Sequence, residues 1–426
     1  MNIYKGIKAR LKPFYDRNVY YPFCVKRHLN KIVKNTQKKN TITIAFVTMN
    51  LAMWKYQALY DLLKKNPRFK LYIIISPSIK FNHEVMIHDA QIMRAYFNNK
   101  NMEIIDWDLE NGKEPVDIKK TINPDILFFT QPGQTVFTPL HSFQNFRDKL
   151  LCYTPYGFYL HRSKGMYERE FQILAWKLYY YTDVQRKLAK KFSTTKAQNV
   201  VVVGHPDAER FINGPFTDVW KLKDKNIKRI VWAPHFTISQ SLVKGFHRRS
   251  TFLELSDVML NIAKRYQHQI QIAFKPHPRL LTELYDHPEW GKEKADEYYK
   301  KWKDLPNGQL ETGDFISLFY YSDALIHDSS SFVMDYMYFE KPEFFLTEDI
   351  DSYIQEADEL AQKVYRNIYH GKTEKKIIEF IDNVVIAGHD SKLQIRKQIV
   401  KEHMMSPNGR TAAENIYHDI CKSLKI

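Results

Sequence analysis

Cysteine is scarce in this chain of 426 residues: Cys24, Cys152 and Cys421 are far apart and odd in number. That excludes a disulfide framework and a cysteine metal site, and a reducing interior is the expected home. No run of 18 apolar residues occurs, and the amino terminus lacks an apolar signal core, so neither a membrane span nor a cleavable export signal is expected. Glycine numbers only 14, and none of it forms a GxGxxG loop, which argues against nicotinamide and flavin chemistry. The sixteen histidines include no HExxH or paired zinc spacing, so neither metal nor cofactor is expected. Internal repeats and low-complexity tracts are missing too, which excludes solenoids.

What is present suits two domains with separate cores: 44% of the residues are apolar, enough for both. Short apolar runs alternate with helical patterns. Strands are expected at Ile42 to Val47, Leu71 to Ile75, Ile104-Ile105, Asp125 to Phe129, Tyr153 and Val200 to Val203, with a helix over Trp54 to Lys64. Regular alternation of strand and helix predicts an α/β fold with largely parallel sheets. The polar, turn-rich stretch between residues 207 and 228 predicts the boundary. The expected divisions are 1–40, a basic aromatic segment; 41–210; 228–390; and 391–426, C-terminal helices.

Three strand ends carry the chemistry. In SDALIHDSSSFVMDYMYFEKP, the strand Ala324 to Ile326 ends in His327 and Asp328. Ser329, Ser330 and Ser331 then open a helix whose first N–H groups and positive dipole end favour phosphate. In QIQIAFKPHPRL, the strand Ile270 to Phe274 runs into Lys275, His277 and Arg279. Pro276 and Pro278 are expected to hold this stretch extended, so that the three side chains project to one side. An ammonium, an imidazole and a guanidinium together suit a diphosphate whose charge grows as a bond to phosphorus breaks. In IKRIVWAPHFTI, the strand Ile230 to Trp232 leads to His235 through Pro234. If these strands are neighbours in a parallel sheet, their carboxyl ends line one crevice.

WAPHFT, FKPHPRL, SDALIHDSSSFVMDYMYFEKP and the terminal NGRTAAENIYHDI resemble, in order and spacing, the landmarks of the CDP-glycerol glycerophosphotransferase family. These are the poly(glycerol phosphate) polymerases and primases of bacterial surface-polymer synthesis. The resemblance spans residues 229 to 345 well, the helix from Asn408 loosely and the amino-terminal half weakly. It implies a GT-B fold, two Rossmann-like domains with parallel sheets facing across a cleft, and a CDP-alcohol donor held mainly by the C-terminal domain. By that resemblance His277 contacts the donor pyrophosphate, Arg279 helps neutralise it, and Ser330-Ser331 cradle phosphate oxygens. The family's Trp-His-Gly-Thr-Pro motif is matched here by Leu151-Cys152-Tyr153-Thr154-Pro155, with cysteine in the histidine's place. His161 and His235 are the candidate bases that remain.

The charge of +16 is uneven. Residues 1 to 40 hold eleven Lys and Arg against Asp16 alone, interleaved with Tyr4, Phe14, Tyr15, Tyr20, Tyr21 and Phe23. Such a segment suits an anionic membrane surface, and the family's acceptors are lipid-linked. The expected activity is transfer of a phospho-alcohol from a CDP-activated donor to a hydroxyl of a lipid-linked acceptor, releasing CMP, at the inner face of the cell membrane. Lys275, Arg279, Asp328, Ser329, Ser330 and Ser331 are expected to bind substrate, with His277, His161 and His235 in the chemistry. A GT-B glycosyltransferase using a nucleotide sugar is the alternative. A basic adaptor is a third reading, although no nucleic-acid partner is expected.

Overall fold

The computed structural model describes residues 15–133, 135–238 and 250–426. The chain divides into two units, Met1–Asp207 with Met405–Ile426, and Ala208–Met404. In the first, strands β1 (Ile42–Thr48), β2 (Phe69–Ile75), β3 (Ile104–Asp106), β4 (Ile126–Phe129), β5 (Leu150–Tyr153), β6 (Lys177–Tyr180) and β7 (Val200–Val202) form one sheet in the order β3-β2-β1-β4-β5-β6-β7. In the second, β8 (Lys228–Ala233), β9 (Ile270–Phe274), β10 (Gly308–Leu310), β11 (Ala324–His327), β12 (Glu343–Leu346) and β13 (Tyr369–Gly371) follow the order β10-β9-β8-β11-β12-β13. Every described strand pairing is parallel. Both orders reverse direction beside their first strand, the doubly wound Rossmann arrangement.

Strands covered on both faces read as continuous apolar runs, and their alternate residues feed two cores. On β1, Ile44 and Phe46 pack to one side with Ile73, Phe128 and Tyr179, while Ala45 and Val47 pack to the other with Ile74, Leu127 and Phe129. On β8, Ile230 and Trp232 join Ile272, Phe274 and Trp302, whereas Val231 and Ala233 join Ala273, Leu325 and Tyr336. The two units repeat one local device. The Asn199 amide, just before β7, donates to the carbonyls of Gln172 and Ala175, and Asn307, just before β10, donates to those of Ala263 and Ile270, all at 2.8 Å.

Three segments show in the structure what their sequence pattern left open. The helix expected from Trp54 begins at Gln57, because Trp54 is extended and buries its ring against Phe46 and Phe97. The C-terminal stretch 391–426, expected as helices, contributes to both units. Arg396, fully buried, pairs with Asp390 inside the second unit. Helix Ala412–Leu424 instead gives Ile416, Ile420 and Leu424 to the core of the first, where Asp419 accepts from Lys177 and Tyr179. The capping box of Thr411 and Glu414 starts that helix, each side chain satisfying an N–H of the first turn.

Within the basic segment 1–40, the described residues are helical from Asp16 to Gln37. Residues 1–14, with Lys5, Lys8, Arg10, Lys12, Tyr4 and Phe14, lie outside the described residues. From there helices Asp16–Lys26 and Arg27–Gln37 follow in succession. Tyr21, Val25 and Leu29, four residues apart, lie in the core of the first unit, and the Gln37 amide donates to the Ser423 carbonyl.

Candidate functional site

In the second unit the strand order reverses between β8 and β11, whose ends meet at the pair His327 and Ala233. A ligand crevice is expected outside the carboxyl ends at such a point. Neighbouring strands lie about 4.8 Å apart, so β9 and β11, on either side of β8, are about 10 Å apart. That spacing is on the scale of one diphosphate with a hydrogen bond on each side.

The loops that leave these ends are stitched together. Beyond the strands, the Lys275 N–H donates to the Trp232 carbonyl at 2.8 Å and the His277 N–H to the Pro234 carbonyl at 3.1 Å. The ring centroids of His235 and His277 are 5.2 Å apart. In the core of this unit the Trp232 ring lies 5.0 Å from Phe274 and 5.9 Å from Phe252.

The three cations of the β9 end differ in setting. Lys275 is 6% exposed, and among the described residues its ammonium has no hydrogen bond or ion pair. Burial lowers its pKa, and the charges of Glu311 and Asp314 partly restore it. His277 is half-buried. Burial first, then the charges of Arg279 and Lys275, bring its pKa down to about 4, so the ring is neutral near pH 7. Its Nδ1 accepts the Arg279 N–H at 3.1 Å, which leaves the proton on Nε2, a neutral donor in a positive field. Arg279 does not continue the extended stretch. The chain turns at His277, whose carbonyl accepts from Leu280 N–H, and Arg279 is helical at the cap of Leu280–Tyr285. Its guanidinium is held between Glu283, at 2.7 Å, and the face of Phe236, at 4.4 Å.

On the β11 side the structure separates residues that the sequence grouped. Asp328 is buried, and both of its oxygens are taken: Oδ1 accepts from His235 N–H at 2.6 Å, and Oδ2 from Thr251 N–H at 2.6 Å and the Thr251 hydroxyl at 2.9 Å. It is the resident anion at the start of helix Phe252–Arg265 and ties the loop after β11 to both ends of the connection from β8 to that helix, so its carboxylate serves the loops where the sequence suggested a substrate ligand. His327 turns into the sheet, where its Nε2 meets Glu343 at 2.7 Å with both side chains fully buried. The serines directly follow the β11 end. Ser329 is the buried N-cap of helix Ser330–Met337, its hydroxyl making no capping bond, Ser330 is half-buried and Ser331 is exposed.

In the first unit, Cys152 sits within β5, fully buried in the core, and burial pushes its thiol pKa well up. His161 is half-buried on the loop after β5. His205, at the end of β7, is 2% exposed and stacked on Phe158, with burial lowering its pKa to about 3. Among the described residues no cluster of His, Cys, Asp or Glu is fit to hold a metal. Sequence reasoning missed Phe236, Thr251 and Glu311. Phe236 stood next to His235 in PHFT as a signal; nothing local marked the other two.

A family model for CDP-glycerol:poly(glycerophosphate) glycerophosphotransferase matches residues 178–422, which include the whole second unit. The chain belongs to this family. It is therefore a glycerophosphotransferase-like enzyme, and Lys275, His277, Arg279 and the serine turn all lie inside the matched region. The wall teichoic acid polymerase TagF is similar in structure, with a TM-score of 0.55 and 13% identity over 97% of this chain and 98% of that one. A UDP-N-acetylglucosamine 2-epimerase gives 0.56 and 14% over 90% and 96%, and the Neisseria meningitidis enzyme bound to UDP-GlcNAc gives 0.54 and 14% over 90% and 100%. These likenesses establish the GT-B fold class. No curated protein gives a significant match.

Proposed function

We propose that the enzyme transfers a phospho-alcohol, glycerol phosphate or a related polyol phosphate, from a CDP-activated donor to a hydroxyl of a lipid-linked acceptor, releasing CMP. One observation carries this reading: an ammonium almost wholly buried at a strand end, in no hydrogen bond or ion pair among the described residues, whose burial the charges of Glu311 and Asp314 offset only in part. A buried ammonium compensated only in part is stabilised by a further counter-charge, and a diphosphate at the switch point supplies one. A TagF structure with CDPG exists in the same fold.

The acceptor oxygen attacks the distal phosphorus in line. The bond from that phosphorus to the bridging oxygen breaks, and the electron pair leaves with CMP. Lys275 and Arg279 neutralise the phosphoryl and departing oxygens, His277 donates through Nε2–H, and the N–H groups at Ser330 fix the donor. The acceptor's proton goes to His161 or His235. His235 Nδ1 is engaged by Thr237, 3.0 Å from its hydroxyl and 3.4 Å from its N–H.

Membrane docking belongs to the same reading. No described helix is long and apolar enough to cross a membrane. The docked amino-terminal helices leave Tyr15, Val19 and Phe23 exposed by 51%, 39% and 64% at four-residue spacing. Arg27, Lys31 and Lys34 continue that line and border a groove of about 570 Å³. Apolar side chains followed by cations on one helical face suit anionic headgroups.

A thermal-shift screen tests the donor. CDP-glycerol is expected to raise the midpoint while UDP-N-acetylglucosamine does not, since a ligand that binds only the folded state stabilises it. A shift with the UDP-sugar alone selects the glycosyltransferase reading instead.

A further inference from the structure

We propose that Phe236 is a positioning residue, fixing the Arg279 guanidinium for the donor diphosphate before the donor arrives. The inference rests on the reading above, in which Arg279 is a diphosphate ligand. Phe236 follows the β8 end and is half-buried at the mouth of the crevice. Its ring is a wedge between two loops: the centroids of His235 and His277 both lie 4.5 Å from it, and the Arg279 Cζ stands 4.4 Å from its own.

Arg279 needs such a restraint. Its side chain is 54% exposed, and a long exposed side chain samples many rotamers that binding must suppress. The Glu283 carboxylate restrains the guanidinium from its edge, through Nη2 at 2.7 Å, and draws it along the helix. Phe236 restrains it from the face. Stacking uses the delocalised π surface and leaves the in-plane N–H groups beyond the one held by Glu283 directed outward for an oxyanion. A leucine of similar bulk fills the space but has no ring quadrupole, so it separates positioning from packing.

The test measures the affinity of inorganic pyrophosphate by calorimetry for the wild type, Phe236→Leu, Arg279→Gln and the double variant, with Phe236→Trp as the conservative replacement. Phe236→Leu is expected to weaken pyrophosphate about fivefold, Phe236→Trp to keep wild-type affinity, and Phe236→Leu to add nothing in the Arg279→Gln background. Equal weakening in both backgrounds, or none in the wild type, overturns the inference. Arg279→Gln without any loss of affinity overturns the diphosphate reading itself, so the two failures are distinguishable. Should Phe236→Leu not fold, Phe236→Met takes its place in the same cycle.

Discussion

Replacing Lys275 by methionine separates binding from stability, because the two are expected to move in opposite directions. Methionine keeps most of the apolar stem and removes the ammonium. In the free protein that ammonium is 6% exposed, and burial lowers its pKa against the partial help of Glu311 and Asp314. Removing it should leave stability unchanged or raise it by about 1 kcal/mol, as for other buried charges replaced by apolar groups. The sign can be checked with pH. A lysine whose folded pKa lies below the unfolded value of 10.5 releases its proton first in the folded state. The penalty is therefore full below the folded pKa and fades as the pH rises from there towards the unfolded pKa, so the wild type gains on the variant over that range. Catalysis should behave differently. A charged hydrogen bond to an oxyanion contributes about 2–3 kcal/mol, so kcat/KM for CDP-glycerol, followed by CMP release, should fall roughly 30- to 150-fold. A variant that loses several degrees of Tm while keeping kcat/KM within about threefold would refute this and make Lys275 a structural partner of Glu311 and Asp314.

His277→Ala should lower turnover about 100-fold with the fold intact, the scale for losing one preorganised donor. Activity near the wild-type level would remove the ring from the chemistry. With its folded pKa at about 4, His277 should give no imidazole titration between pH 6 and 8 by NMR. Because that pKa is depressed below 6.5, its contribution to stability should be lost as the pH falls from about 6.5 towards 4. Asp328→Ala strands three donors, those of His235 and Thr251, and should cost about 3 kcal/mol, on the order of 10 °C in Tm. A calorimetric midpoint that does not move would mean the two loops hold together without it. Substituting Arg27, Lys31 and Lys34 together by glutamine should weaken binding to phosphatidylserine vesicles by about 1 kcal/mol per cation with Tm unchanged. Equal sedimentation of variant and wild type with the vesicles would rule out this face.

Much of the architecture was legible because it depends on local periodicity. Continuous apolar runs such as ITIAFVT and IQIAF mark strands buried on two faces, and their alternation with helices calls for parallel sheets joined by crossovers. The strand ends were legible too, since a proline and a histidine directly after an apolar run mark where a chain leaves a sheet. The short strands β10 and β13, three residues each, were not legible. They owe their existence to a neighbouring strand rather than to their own pattern.

The sequence by itself determined the α/β class, the crevice-forming strand ends and the presence of Lys275, His277 and the serine turn at those ends. Only the tertiary structure decided what each polar group faces. Asp328 and His327 are adjacent in sequence, yet one binds the loops of β8 and helix Phe252–Arg265 while the other pairs with Glu343 on β12. Arg279 owes its place to Phe236 and a helical turn rather than to alternation, and helix Ala412–Leu424 returns to a core built mostly from residues more than 200 positions earlier. The physical reason is that backbone periodicity is a short-range property, whereas the partner of a charge or an apolar face is set by whichever distant strand or helix packs beside it.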